Sequence, residues 1–139
     1  MVIDHICFAV KDIGEGISWW EKVFGYRQMT DVITNTLQKV RVVFLKKKKS
    51  LTIKLIEPLE DNMSLLHFVT RGGGFHHICF KCDNIEEGVR DLREKGLITL
   101  VPPQPGEAFN NHDIAFLLAK YGVNIELIDT DEKAGILSD

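Results

Sequence analysis

Four separate segments of this 139-residue chain recur at one constant offset of 72 positions. Asp4-His5-Ile6-Cys7-Phe8 returns as His76-His77-Ile78-Cys79-Phe80, and Ile13, Glu15 and Gly16 return as Ile85, Glu87 and Gly88. Phe44-Leu45 matches Phe116-Leu117, and Ile53-Lys54-Leu55-Ile56-Glu57 matches Ile125-Glu126-Leu127-Ile128-Asp129. A fixed offset through unrelated intervening residues marks a duplicated unit of roughly 60 residues. The fold must therefore place two copies of one supersecondary unit against each other.

Each copy reads alike. A strand rich in β-branched and aromatic residues (2–10; 76–82) is followed by a helix (15–24; 85–95), then by three more strands. Those strands are expected at 26–33, 39–46 and 51–57 in the first copy, and at 98–101, 113–118 and 123–129 in the second. Asp12 and Asp83/Asn84 offer side-chain oxygens to the free N–H groups that open the helices, and Gly25 and Gly96 stand where the helices stop. The fold class is α+β, βαβββ repeated, with modules at 2–58 and 75–130 forming one domain over 1–131. Residues 59–74 are a linker with a short helix at 63–70, and 132–139 form a tail.

Composition narrows the function. Lys+Arg 17 against Asp+Glu 20 gives a net charge of −3, without the basic excess that phosphate-backbone recognition needs, so no nucleic-acid partner is expected. No apolar run reaches the ~18–20 residues of a membrane span, and MVIDHICF lacks a basic start ahead of an apolar stretch. Three cysteines make no disulfide framework, so a cytoplasmic location without a membrane partner is expected. Cys79 and Cys82, three apart on a strand, face opposite sides and cannot share a metal. The run Lys46–Lys49 reads as a solvated hairpin turn, and Gly72-Gly73-Gly74 lacks the strand–loop–helix setting of a phosphate cradle.

Strand parity indicates which side chains converge. His5 and Cys7 share a face, as do His77 and Cys79, while His76 falls on the opposite face. Lys54 and Glu126 are equivalent positions in the last strands of the two modules, so His5, His77, Lys54 and Glu126 occupy four symmetric corners. Two imidazoles and a carboxylate suit Zn, Fe, Mn, Co or Ni. A buried ionised Glu126 needs a cation beside it in any case.

On these residues the chain resembles the vicinal oxygen chelate superfamily, which includes glyoxalase I, methylmalonyl-CoA epimerase, extradiol dioxygenases and bleomycin-resistance proteins. The likeness runs from about Ile3 to Thr130. It rests on Ile3-Asp4-His5, Trp20-Glu21-Lys22-Val23-Phe24-Gly25, Glu57-Pro58-Leu59, Gly74-Phe75-His76-His77-Ile78, Pro105-Gly106 and Asn124-Ile125-Glu126-Leu127. It implies a glyoxalase-like fold, a curved eight-stranded mixed sheet forming a cup, and a homodimer. It also implies a divalent metal on His5, His77 and Glu126, a small-molecule substrate, and an isomerase or lyase that moves a proton next to a carbonyl. The epimerase-like branch points to an acyl-CoA thioester. A glyoxalase I-like lyase, a three-ligand Fe(II) oxygenase and a metal-free small-molecule-binding protein are the alternatives.

The chain departs from the family at the fourth corner, usually Glu or Gln and here Lys54, whose ammonium has no lone pair to give a metal. Three arrangements are open: a three-ligand metal with Lys54 displaced, a Lys54–Glu126 ion pair in place of the metal, or Lys54 as a general base. Glu126, Lys54 and His112 are the candidate catalytic residues; His112 could reach the mouth of the expected cup as a proton shuttle, but the surface reading, a histidine ending a loop, is preferred.

Overall fold

The computed structural model describes residues 1–138. The first module is β1 (Val2–Ala9), α1 (Ile13–Phe24), β2 (Arg27–Gln28), β3 (Ile33–Asn35), β4 (Val40–Lys46) and β5 (Thr52–Pro58). A linker helix α2 (Met63–Thr70) leads to β6 (Gly74–Lys81), α3 (Ile85–Glu94), β7 (Ile98–Pro105), β8 (Asp113–Leu118) and β9 (Asn124–Ile128). One sheet runs in the order β2-β4-β5-β1-β6-β9-β8-β7, with β3 also on β4. The first strands of the two modules, β1 and β6, lie antiparallel at its centre, and each pairs in parallel with its own module's last strand.

The repeat is physical down to single hydrogen bonds. Asp12 caps α1 through Glu15 N, and Asn84 caps α3 through Glu87 N. The next free amides, Ile13 N and Ile85 N, donate to Glu57 Oε2 and Asp129 Oδ2 at 2.9 Å each. Each last strand thus anchors its own module's helix, because helix-start amides need acceptors. Gly16 and Gly88 recur for packing: a Cβ would stand 3.1 Å from Leu55 Cδ1 at Gly16, and 2.8 Å from Cys82 Sγ at Gly88.

The sheet has nine strands, not eight, because the expected strand 26–33 is broken into β2 and β3. Between them Met29 N donates to Phe44 O, and Thr30 Oγ1 accepts from Phe44 N. Thr30 then bridges to Ile136, so the break makes room for the C-terminal residues. Those residues fold back as a strap, with Ala134 N on Ala108 O and Leu137 N on Met29 O. β7 outruns its expected end to Pro105; Pro102 and Pro103 are tolerated because β7 is an edge strand with a register shift between Val101 and Gln104.

Two apolar clusters cover the helix side: Leu45 and Leu55 meet Ile13 of α1, and Leu117 and Leu127 meet Ile85 of α3. The opposite face carries Cys7, Phe44, Phe109, Ile114 and Ile128. On a flat sheet β5 and β9 would lie about 14 Å apart, three strand spacings. Their side chains nevertheless touch, Lys54 Nζ lying 3.2 Å from Glu126. The sheet is therefore concave on this face, and its hollow holds the candidate site.

Candidate functional site

The two central strands set the positions. β1 and β6 pair reciprocally, His5 opposite Cys79 and Cys7 opposite His77. Cys7 pairs with Lys54 on β5, and Cys79 with Glu126 on β9. A pseudo-twofold axis thus passes between β1 and β6, and the four corners expected from parity meet across it. His5, Lys54, His77 and Glu126 are all at most 2% exposed.

Glu126 is the hub. Its Oε1 lies 2.9 Å from His5 Nε2 and 3.1 Å from His77 Nε2, and Lys54 Nζ donates to Oε1 and Oε2 at 3.2 Å each. Phe44 and Phe116, themselves a repeat pair, set ring edges against His5 and His77 at 5.2 and 5.1 Å. Burial by itself would raise the Glu126 carboxyl, but the Lys54 charge and then the two imidazoles hold it well below the usual carboxylate range. Burial would lower the Lys54 amine, yet the Glu126 charge keeps it above its ordinary value. Burial drives His77 down to about 3, so its ring is neutral. Both thiols, Cys7 and Cys79, are pushed up by burial and stay protonated.

Two residues next to the corners join the site against simple parity. The register runs from Ile3 opposite Phe80 directly to His5 opposite Cys79, leaving Asp4 unpaired. It runs from Cys7 opposite His77 to Phe8 opposite Phe75, leaving His76 unpaired. These are paired β-bulges, again 72 positions apart, and a bulge lets neighbouring side chains turn to one side. Asp4 Oδ2 lies 2.7 Å from His5 Nδ1, and His76 Nδ1 lies 2.7 Å from His77 Nδ1. The expectation that His76 faces away from His77 is corrected by its bulge. Lys133, on the strap, completes the set: Nζ is 3.1 Å from Asp4 Oδ2 and 5.1 Å from the Phe44 ring centre. Each carboxylate of the centre therefore has its own ammonium, part-buried Asp4 with Lys133 and buried Glu126 with Lys54.

His112 does not join them. The left-handed Asn110 and Asn111 turn it outward, where it is 42% exposed and bonds Glu132 Oε2 at 2.6 Å. A cleft of about 700 Å³ opens on the site and is lined by Lys54, His76 and His77, with Asn35, Phe68 and Phe116 among its other walls.

The ligand atoms of His5, His77 and Glu126 lie within 4.8 Å of one another, so the three expected donors converge. The fourth corner opposes a divalent ion. Lys54 spends hydrogen bonds on both oxygens of the carboxylate that would ligate. Set roughly 4 Å from that ammonium, a divalent charge would be repelled by about 8 kcal/mol even at an effective dielectric of about 20. The Lys54–Glu126 pair is already neutral in sum. As a set, these four residues do not fit a divalent metal.

Among solved structures, a methylmalonyl-CoA epimerase in complex with methylmalonyl-CoA and NH4+ superposes with a TM-score of 0.80 at 26% identity, covering 99% of this chain and 98% of that one. The chain is 32% identical over 130 residues to the Uncharacterized protein YqjC of Bacillus subtilis (strain 168), with 91% of each covered. It is 30% identical over 100 residues to the mitochondrial methylmalonyl-CoA epimerase of Mus musculus, over 70% of this chain and 55% of that protein. It thus spans about half the length of that relative. No helix among the described residues is long and apolar enough to cross a membrane. Residues 4–116 match the family model of the Glyoxalase/Bleomycin resistance protein/Dioxygenase superfamily, and with the paired modules and central cup in place the chain belongs to that superfamily.

Proposed function

We propose that this protein is an epimerase-like isomerase, moving a proton on the carbon next to an acyl-CoA thioester carbonyl. The observation that carries the reading is a buried ammonium, Lys54, set beside two imidazoles on the wall of one cleft. The similar epimerases, one of them in complex with methylmalonyl-CoA, support the substrate class.

Removing the α-proton sends the C–H electron pair toward the carbonyl and leaves an enolate oxygen. That oxygen gains most from a fixed positive charge in a dry site, because the charge is already oriented when the anion develops. Lys54 supplies it. Glu126 holds Lys54 in place and keeps it protonated, and His5 and His77 fix the carboxylate from the other side. His76 lines the cleft with a ring that burial, and then the Lys54 charge, keep uncharged, so it can accept a proton. Its Nδ1 is committed to His77, which leaves Nε2 as the accepting nitrogen. Returning the proton to either face of the enolate completes an epimerisation. The lyase and Fe(II) oxygenase alternatives both route through a divalent ion and are not carried forward.

Methylmalonyl-CoA in D2O tests this: the C2 proton signal should disappear with protein present, and the rate should fall at least about 100-fold in His76→Gln. Unchanged C2 protons with wild-type protein would reject the reaction. One observation favours a second reading, a small-molecule-binding protein: among the described residues, those lining the cleft include no carboxylate to serve as a base. Tight thioester binding by calorimetry without any exchange would select it.

A further inference from the structure

Apart from one residue, the centre is organised as a metal site. Histidines that ligate metals donate their outer nitrogen to a neighbouring group, which fixes the tautomer and aims the inner lone pair. Here His5 Nδ1 is held by Asp4 Oδ2 and His77 Nδ1 by His76 Nδ1, both at 2.7 Å, while both Nε2 atoms point at Glu126 Oε1. In this pairing neutral His77 gives its Nε2–H to that carboxylate and accepts from His76 at Nδ1. The exception is Lys54, which pairs with both oxygens of Glu126 and is 2% exposed. It also stands 5.5 Å over the Phe109 ring, so its head group is gripped from a second side. It reaches the centre from the strand position equivalent to Glu126 itself, 72 residues earlier.

We propose that the ε-ammonium of Lys54 is a built-in cation that takes the place of a divalent metal, so that the centre excludes metal ions and a single substitution at position 54 converts it into a metal site. The ammonium supplies a positive charge at the carboxylate, as an ion would, and cannot be removed by a chelator. Selectivity follows from the same arrangement. An incoming divalent ion must break both Lys54–Glu126 bonds and leave a buried ammonium beside it. Lys54→Gln removes the charge and adds a neutral oxygen donor at the fourth corner, with Asp4 and His76 already holding the two histidines.

This inference concerns what fills the centre and is read by metal binding, so it can fail or stand apart from the thioester reaction proposed above. Protein prepared without an affinity tag is titrated with Co2+, following visible absorption, and its Zn2+ content is measured by mass spectrometry after dialysis. Wild type should show no ligand-field bands and essentially no retained zinc. Lys54→Gln should bind about one ion per chain, at least about tenfold more tightly than wild type, and lose it again on adding His77→Ala. Lys54→Glu serves as the second variant should the glutamine form fail to fold, and should likewise gain the ion. Lys54→Arg, which keeps the charge, should stay metal-free. One ion in wild type that is lost in His77→Ala would overturn the proposal, as would folded Lys54→Gln and Lys54→Glu proteins that bind no metal.

Discussion

Replacing Lys54 by methionine removes one charge from a buried pair and keeps most of the volume. With Nζ 3.2 Å from both Glu126 oxygens, the attraction is about 5 kcal/mol at an effective dielectric of about 20. Losing one partner of such a pair leaves the other charge desolvated and unanswered, at a cost of about 3–5 kcal/mol. For a domain of this length, that lowers the melting temperature by about 12–20 °C. Glu126→Leu should cost a similar amount by stranding Lys54 and two imidazole nitrogens. The double variant should cost no more than either single one, because neither charge is then buried alone, giving a coupling energy of at least about 3 kcal/mol. Urea unfolding of the four proteins in chelator measures the cycle. Single costs under about 1 kcal/mol, or a double variant that equals the sum of the singles, would refute the buried pair.

Acid should destabilise the fold ahead of ordinary carboxylate titration. His77 sits near 3 in the folded chain against 6.5 ordinarily, so the unfolded state binds more protons between those values. Stability present above pH 6.5 should drain as pH falls toward 3, by as much as about 5 kcal/mol, and the depressed Glu126 adds loss in the same direction. A flat urea midpoint from pH 7 to 4 would contradict this. Gly88→Ala should cost about 1–3 kcal/mol in thermal melts, since its Cβ would meet Cys82 Sγ at 2.8 Å and Leu127 Cδ2 at 2.9 Å. Gly16→Ala meets only flexible methyl groups at 3.1 Å and beyond, and its gain in helix propensity should bring it near neutral. His112→Ala should leave thioester exchange within about twofold of wild type, because its partner is the exposed Glu132; a large loss would bring it back into the site.

The offset of 72 was enough to reach the paired modules, their helices and the four corners, since all of these follow from strand parity and capping chemistry. Parity also failed in an orderly way. It assumes an unbroken pleat, and the pleat is broken at Asp4 and His76, where bulges swing both side chains to the histidines they precede. A bulge depends on how two strands register, which neither strand records alone. The break between β2 and β3 has the same origin, because Thr30 answers to Phe44 and Ile136 rather than to its neighbours. Lys133 had no signal at all. It lies in a polar tail with no periodicity, and only folding back against Asp4 and the Phe44 ring gives it a role. The departure at Lys54 was visible in the sequence, while its consequence needed the distance to Glu126.

Solvent deuterium incorporation at C2 of methylmalonyl-CoA, measured with wild-type protein kept in excess chelator, bears most directly on the chemistry. Incorporation should proceed unchanged in chelator and vanish in Lys54→Met. Incorporation that appears only after a divalent ion is added, or that survives the loss of Lys54, would contradict a reaction run on a tethered ammonium.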